Sequence, residues 1–146
     1  MKDKIINKRP LRIFFSFAAV DRTYAHRVQN ILSQRPDVRI FTTESLSAGE
    51  DWQSKLKHEL ASSDIFIVLL SPNSIASKWV LHELGAAWGT DKPIIPIVTN
   101  PEIVSNRLIP LKLKQYLDIS KLIEDPNNLE GVIEQYIEQI NNETLN

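Results

Sequence analysis

Few side chains in this sequence have the type and spacing that chemistry needs, and they exclude more than they allow. There is no cysteine, so disulfides, thiolate metal sites and thiol nucleophiles are ruled out. The three histidines, His26, His58 and His82, share no metal-ligand spacing, and His82-Glu83 does not begin an HExxH zinc motif. Each reads as a surface or half-buried helix residue. No GxGxxG, GxxxxGK[ST] or GxSxG is present, which argues against a dinucleotide fingerprint, a P-loop and a nucleophile elbow. A phosphoacceptor domain needs an aspartate ending its central strand, where this chain has Leu69-Leu70-Ser71-Pro72. A carboxylate remains. Glu83, within SKWVLHELGAAWG, is a group that can stabilise developing positive charge. It also lies early in a predicted helix, where the helix dipole favours any acid.

The elements that must position it alternate. Leu11–Phe17 (LRIFFSF) is an apolar run of strand length. Asp21 is expected to cap a helix carrying Tyr24, Val28, Ile31 and Leu32 on one face and stopping before Pro36. Val38–Thr42 is a second strand, and Glu44–Gly49 a loop. A helix follows, with Trp52, Leu56 and Leu60 at i, i+4 and i+8 on one face; Trp52 reads as core by this spacing, with one edge left exposed by its place at the helix start. Asp64–Leu70 (DIFIVLL) is the clearest buried strand, ended by the turn residues Ser71-Pro72-Asn73. Ser77 reads as the N-cap of a helix to about Gly89, in which Gly85, Ala86, Ala87 and Gly89 suit close packing. Ile94–Val98, interrupted by Pro96, is a fourth strand, residues 99–114 are irregular, and Gln115–Ile119 is a fifth, edge strand. Asp125-Pro126 opens a last helix with an apolar stripe from Leu129 to Ile140. This order implies an open parallel sheet with helices on both faces. Ligands of such sheets bind beyond the carboxyl ends of the strands, here after Phe17, Thr42, Leu70 and Val98.

A length of 146 residues, with 42% hydrophobic and 24% charged, suits one domain with a real core. A net charge of −1 gives no electrostatic reason to expect a nucleic-acid partner. The basic start, MKDKIINKRP, has no apolar stretch of a secretory signal behind it, and the run after it is too short to span a bilayer. A soluble, cytoplasmic chain without membrane contact is expected. It divides into a flexible arm (1–10), a domain (11–142) and a frayed polar tail (143–146).

Three stretches together resemble the TIR (Toll/interleukin-1 receptor) family. IFFSFAAVDR (13–22) is similar to its first box, SLSAGEDW (45–52) to its BB loop, and LLSPNSIASKWVLHELGAAW (69–88) to its Ser-Pro turn and Trp-x-x-x-Glu helix. PIIPIV (93–98) matches the strand that usually follows. Each box alone is weak, but their order and spacing are fairly specific, and the likeness spans about residues 11–140. It implies an α/β, flavodoxin-like, three-layer α/β/α fold with a mostly parallel five-stranded sheet. For the bacterial NAD-cleaving type it implies hydrolysis of NAD+ to nicotinamide and ADP-ribose, or a cyclic ADP-ribose, with activation by self-assembly. NAD+ would be the substrate, with no cofactor and no metal. The family's catalytic glutamate falls on Glu83, four residues after Trp79. Ser16, Phe17, Ala18 and Trp79 would line the substrate site, and Leu46, Gly49, Glu50, Asp51 and Trp52 the assembly loop.

The chemistry suits the residue. Loss of nicotinamide leaves an oxocarbenium-like ribose that a carboxylate can stabilise. The leaving group is already cationic, so one carboxylate can serve where O-glycosidases usually need two. The sequence also departs from the family. Phe17 replaces the usual tyrosine, Ala18 and Ala19 stand at often polar positions, and Thr42-Thr43 replaces a common aspartate. A pocket wall so poor in polar groups implies weaker NAD binding or contacts from another subunit. Two alternatives stay open: a non-catalytic TIR–TIR adaptor, and a nucleoside deoxyribosyltransferase-like enzyme, whose glutamate helix HELGAAW resembles. By analogy alone, bacterial members serve in antiphage defence or as secreted effectors.

Overall fold

The computed structural model describes residues 9–45, 51–105 and 116–145. Leu46, Gly49 and Glu50, most of the N-terminal arm and much of the irregular stretch before the fifth strand lie outside them.

Five strands form one sheet in the order β2-β1-β3-β4-β5: β1 (Leu11–Ser16), β2 (Val38–Phe41), β3 (Ile65–Leu70), β4 (Ile94–Val98) and β5 (Leu117–Asp118). Every pairing is parallel. The helices are α1 (Arg22–Ser33), α2 (Trp52–Ser62), α3 (Pro72–Ile75), α4 (Lys78–Gly89), α5 (Ile119–Glu124) and α6 (Asn127–Leu145). All six residues of β3 are buried, as a parallel strand covered on both faces requires.

Alternation along β1 sorts its side chains. Leu11, Ile13 and Phe15 join Ala25, Val28 and Leu32 of α1 and Leu129 and Ile133 of α6 in one core. Phe14 joins Phe41, Phe66 and α4's Val80, Leu84 and Ala87 in the other. The Phe14 ring lies 5.3 Å from Phe41 and 5.4 Å from Phe66, linking three strands in one aromatic layer. On that same face Arg12 lies at the amino end of β1 and Ser16 at the carboxyl end.

β4 runs unbroken through Pro96. Pro93 accepts from the Phe66 amide and Thr99 donates to the Leu70 carbonyl, so the odd-numbered residues face β3. Pro96 therefore faces β5, whose ladder reaches only Ile97 and Val98, and its missing N–H costs no sheet bond.

Several expectations need correcting. Tyr24 is exposed, and α1 turns Ala25, Val28 and Leu32 inward instead. Asp21 sits at the N-cap position of α1 without capping it. Trp52 is 43% exposed and is not core; α2 buries none of its residues fully, and Leu56 and Leu60 are only half-buried. Ser71-Pro72-Asn73 begins a short helix, closed by a capping box between Ser71 and Ser74. A β-carbon on Gly85 or Gly89 would meet nothing within 4 Å, so close packing does not explain these glycines. The fifth strand is two residues long, and Ile119 already starts α5, whose Ser120 amide donates to the Asp118 carboxylate at 3.0 Å. The backbone of α6 continues through residues 143–145, where composition suggests a frayed tail.

Candidate functional site

β1 has β2 on one side and β3 on the other, so consecutive connections leave the sheet in opposite directions at its carboxyl end. This is the switch point where doubly wound sheets bind ligands. A network absent from the sequence reading holds the point together. Asp21, only 5% exposed, accepts hydrogen bonds from the Ser71 hydroxyl and, at 3.1 Å, from Asn73 Nδ2. It ties the turn after β1 to the turn after β3. On the other flank Glu44, beyond β2, accepts from Arg22 and contacts His26 Nε2 at 3.1 Å.

α4 supplies the carboxylate. Its N-cap, Ser77, accepts from the Val80 amide at 3.3 Å. The buried residues of the helix are Val80, Glu83, Leu84 and Ala87, the i, i+3, i+4, i+7 spacing of an inward face. Glu83 thus takes a core position and is 3% exposed. Its Oε1 accepts from Ser16 Oγ at 2.6 Å. Its Oε2 is buried and has no hydrogen-bond partner among the described residues. Burial pushes the Glu83 carboxyl up to about 7, partly opposed by the Ser16 hydrogen bond. An ionised oxygen left without a donor at depth is costly, and such groups concentrate at functional sites.

Glu83 lines a groove of about 320 Å³ between α2 and α4, whose walls include Trp52, Leu56, Leu60, Trp79 and Ala86. The Trp52 and Trp79 rings are 5.4 Å apart, tilted by 52°. Both are partly open to solvent, at 43% and 37%. The groove is therefore aromatic at its mouth, with one buried carboxyl set in its wall.

The structure brings Ser16, Trp52, Trp79 and Glu83 together and separates the rest. Ser16 is buried, its hydroxyl committed to Glu83. Phe17 is 6% exposed and packs 5.3 Å from Phe15 in the core against α1 and α6, so it does not face the groove. Ala18 is buried in the cluster on the α4 side. Asp51 caps α2, accepting from the Ser54 amide at 3.3 Å and the Ser54 hydroxyl at 2.9 Å. Among the described residues no group of three or more His, Asp or Glu side chains could hold a metal ion. No helix among them is long and apolar enough to cross a membrane.

Removing the Ser16 hydroxyl isolates this geometry. Ser16→Ala leaves both Glu83 oxygens without a donor and raises the carboxyl further. A hydrogen bond to a charged group contributes about 1.5–3 kcal/mol. Urea melts of Ser16→Ala are therefore expected to show a loss of about 2 kcal/mol at pH 8, where Glu83 is ionised, and a smaller loss at pH 5.

Fold and site together define a flavodoxin-like α/β domain with a buried carboxyl at its topological switch point. The model of the TIR domain matches residues 13–133, and the chain belongs to the TIR domain family. The HELGAAW helix is thus part of a TIR domain. The TIR domain of the Toll-related receptor TRR-2 from Hydra magnipapillata is similar with a TM-score of 0.67 and 18% identity, over 85% of this chain and 96% of that one. The TIR domains of the activated Roq1 resistosome, which directly recognizes the pathogen effector XopQ, are similar with a TM-score of 0.56 and 18% identity, over 89% and 81%. At these identities the likeness is one of fold. No curated protein sequence matches the chain.

Proposed function

We propose that the chain is a TIR-domain NAD+ glycohydrolase in which Glu83 stabilises the ribosyl cation. The carrying observation is the unpartnered Oε2 of Glu83, buried at the edge of an aromatic groove. In the reaction the bond between C1′ and the pyridinium nitrogen breaks, and nicotinamide leaves neutral with the bonding pair. Positive charge develops on the ribose, and the ionised Glu83 is the group that meets it. Water, or a nucleophile of the same ADP-ribose, then bonds to C1′ and releases a proton, giving the linear or the cyclic product. Ser16 holds one carboxyl oxygen and leaves the other free to reach a ribose hydroxyl.

The groove's 320 Å³ lies at the lower end of ligand pockets, which run from about 300 to 1,000 Å³. That is room for one end of a dinucleotide. Its described lining is largely apolar, with Gln53, Lys57 and His82 the polar side chains besides Glu83. Both features favour a site completed by a second copy, which agrees with activation by self-assembly. A role in defence rests on family analogy. A second reading, the non-catalytic TIR–TIR module, draws on the exposed edges of Trp52 and Trp79, side chains common in interfaces.

Concentrated protein incubated with NAD+ separates the two. Nicotinamide accumulating with wild type, and not with Glu83→Ala, supports the enzyme. Activity that survives Glu83→Ala refutes the assignment. NAD+ left intact by a chain that still self-associates supports the adaptor.

A further inference from the structure

A second concavity lies on the same face of the sheet, at the amino ends of the strands. Its volume is about 330 Å³, and its walls carry Arg12 of β1, Arg39 of β2 and Lys55, His58 and Glu59 of α2. Arg12 and Arg39 are direct partners in the parallel register, so their side chains leave the same face of adjacent strands. Like charges set opposite each other on a sheet are unfavourable. Among the described residues neither guanidinium has a carboxylate in contact. The nearby Asp64 feels the charge of Arg12, but both its oxygens accept from Arg9 at 2.8 Å, and one also accepts from the Arg12 amide at 2.8 Å. Among the described lining residues Glu59 is the single carboxylate, against the Arg12–Arg39 pair. This concentration of positive charge stands out in a chain whose net charge is −1.

We propose that this cavity binds a phosphate-bearing small molecule through Arg12 and Arg39. Two forked guanidiniums present paired N–H donors, the geometry that suits phosphate oxygens. An anion seated between Arg12 and Arg39 would turn their mutual repulsion into shared attraction. The shape favours a small molecule over a polynucleotide, since the basic groups converge in a pocket and the chain's near-neutral charge offers no extended basic track. The site is separate from the groove at Glu83. Arg12 and Ser16 lie four residues apart on one strand, about 13 Å at the usual strand rise.

Calorimetric titration with inorganic pyrophosphate and with ADP tests this. Saturable binding is expected, weakened about tenfold or more in Arg12→Ala and in Arg39→Ala, and less in Arg39→Lys. Thermal melts accompany each variant, and Arg39→Lys replaces Arg39→Ala should the latter fail to fold. Tighter binding of ADP than of pyrophosphate makes a nucleotide the source of the phosphate; equal or tighter pyrophosphate binding makes it inorganic. No saturation by either probe up to about 10 mM, or equal binding by wild type, Arg12→Ala and Arg39→Ala, would overturn the proposal.

Discussion

Glu83→Gln is expected to lower the rate of nicotinamide release by about 10²–10³-fold, with KM changed by no more than about threefold. Glutamine keeps the volume of glutamate and an oxygen to accept from Ser16. It removes only the negative charge. The bound dinucleotide carries its positive charge on the pyridinium ring, and that charge moves onto the ribose as the bond breaks. The carboxylate therefore interacts more strongly with the transition state than with the ground state, and such interactions appear in kcat. A loss confined to KM would mean that Glu83 merely binds. Steady-state kinetics on wild type and Glu83→Gln, at one protein concentration so that self-association is matched, distinguish the two.

The same substitution is expected to stabilise the fold at alkaline pH. Moving the Glu83 carboxyl from its ordinary 4.5 to about 7 corresponds to about 3 kcal/mol, at 1.36 kcal/mol per tenfold change. The folded chain holds the proton more tightly than the unfolded chain does. This contribution is fully present below pH 4.5 and is lost as pH rises through about 7. Above that, wild type carries a buried charge with one oxygen unpartnered. Glutamine is neutral at every pH but leaves an amide N–H₂ where Oε2 stood, at about 1 kcal/mol. The net gain at pH 8 is about 2 kcal/mol, or about 5 °C in Tm, and by pH 4.5 it gives way to a small loss of under about 1 kcal/mol. Thermal melts of both proteins at the two pH values check it. A variant that is less active but more stable marks Glu83 as a functional residue held at a cost in stability.

Much of this arrangement was legible in the sequence, and the misses have identifiable causes. The buried strands announce themselves as apolar runs, and parallel pairing follows from the helices between them. The inward place of Glu83 was also readable. Val80, Leu84 and Ala87 set the phase of the α4 stripe, and Glu83 falls within it, an acid where an apolar residue is the norm. Phe17 was readable too, because alternation from Leu11 through Ile13 and Phe15 directs it to the α1 and α6 side, away from Ser16. Family likeness drew it to the wrong wall. The bond from Asp21 to Ser71 was not readable, since it joins residues 50 apart in sequence and competes with a local capping role that looks equally natural. The exposed edge of Trp52 was readable from its place at the helix start, but the openness of the whole face was not. The helical period is sound, but α2 packs so loosely that even the apolar face of this helix stays partly open. α5 is too short, at six residues, to show a period at all.

The most direct test of the central claim, that the ionised Glu83 carboxylate carries the chemistry, is the pH dependence of kcat/KM for nicotinamide release, which reports the free enzyme's essential groups. The account predicts a rate that climbs about tenfold per pH unit up to about 7 and then levels, with Glu83→Gln low and flat over the same range. A wild-type profile already level from pH 5, or a Glu83→Gln variant that follows the wild-type curve, would contradict it.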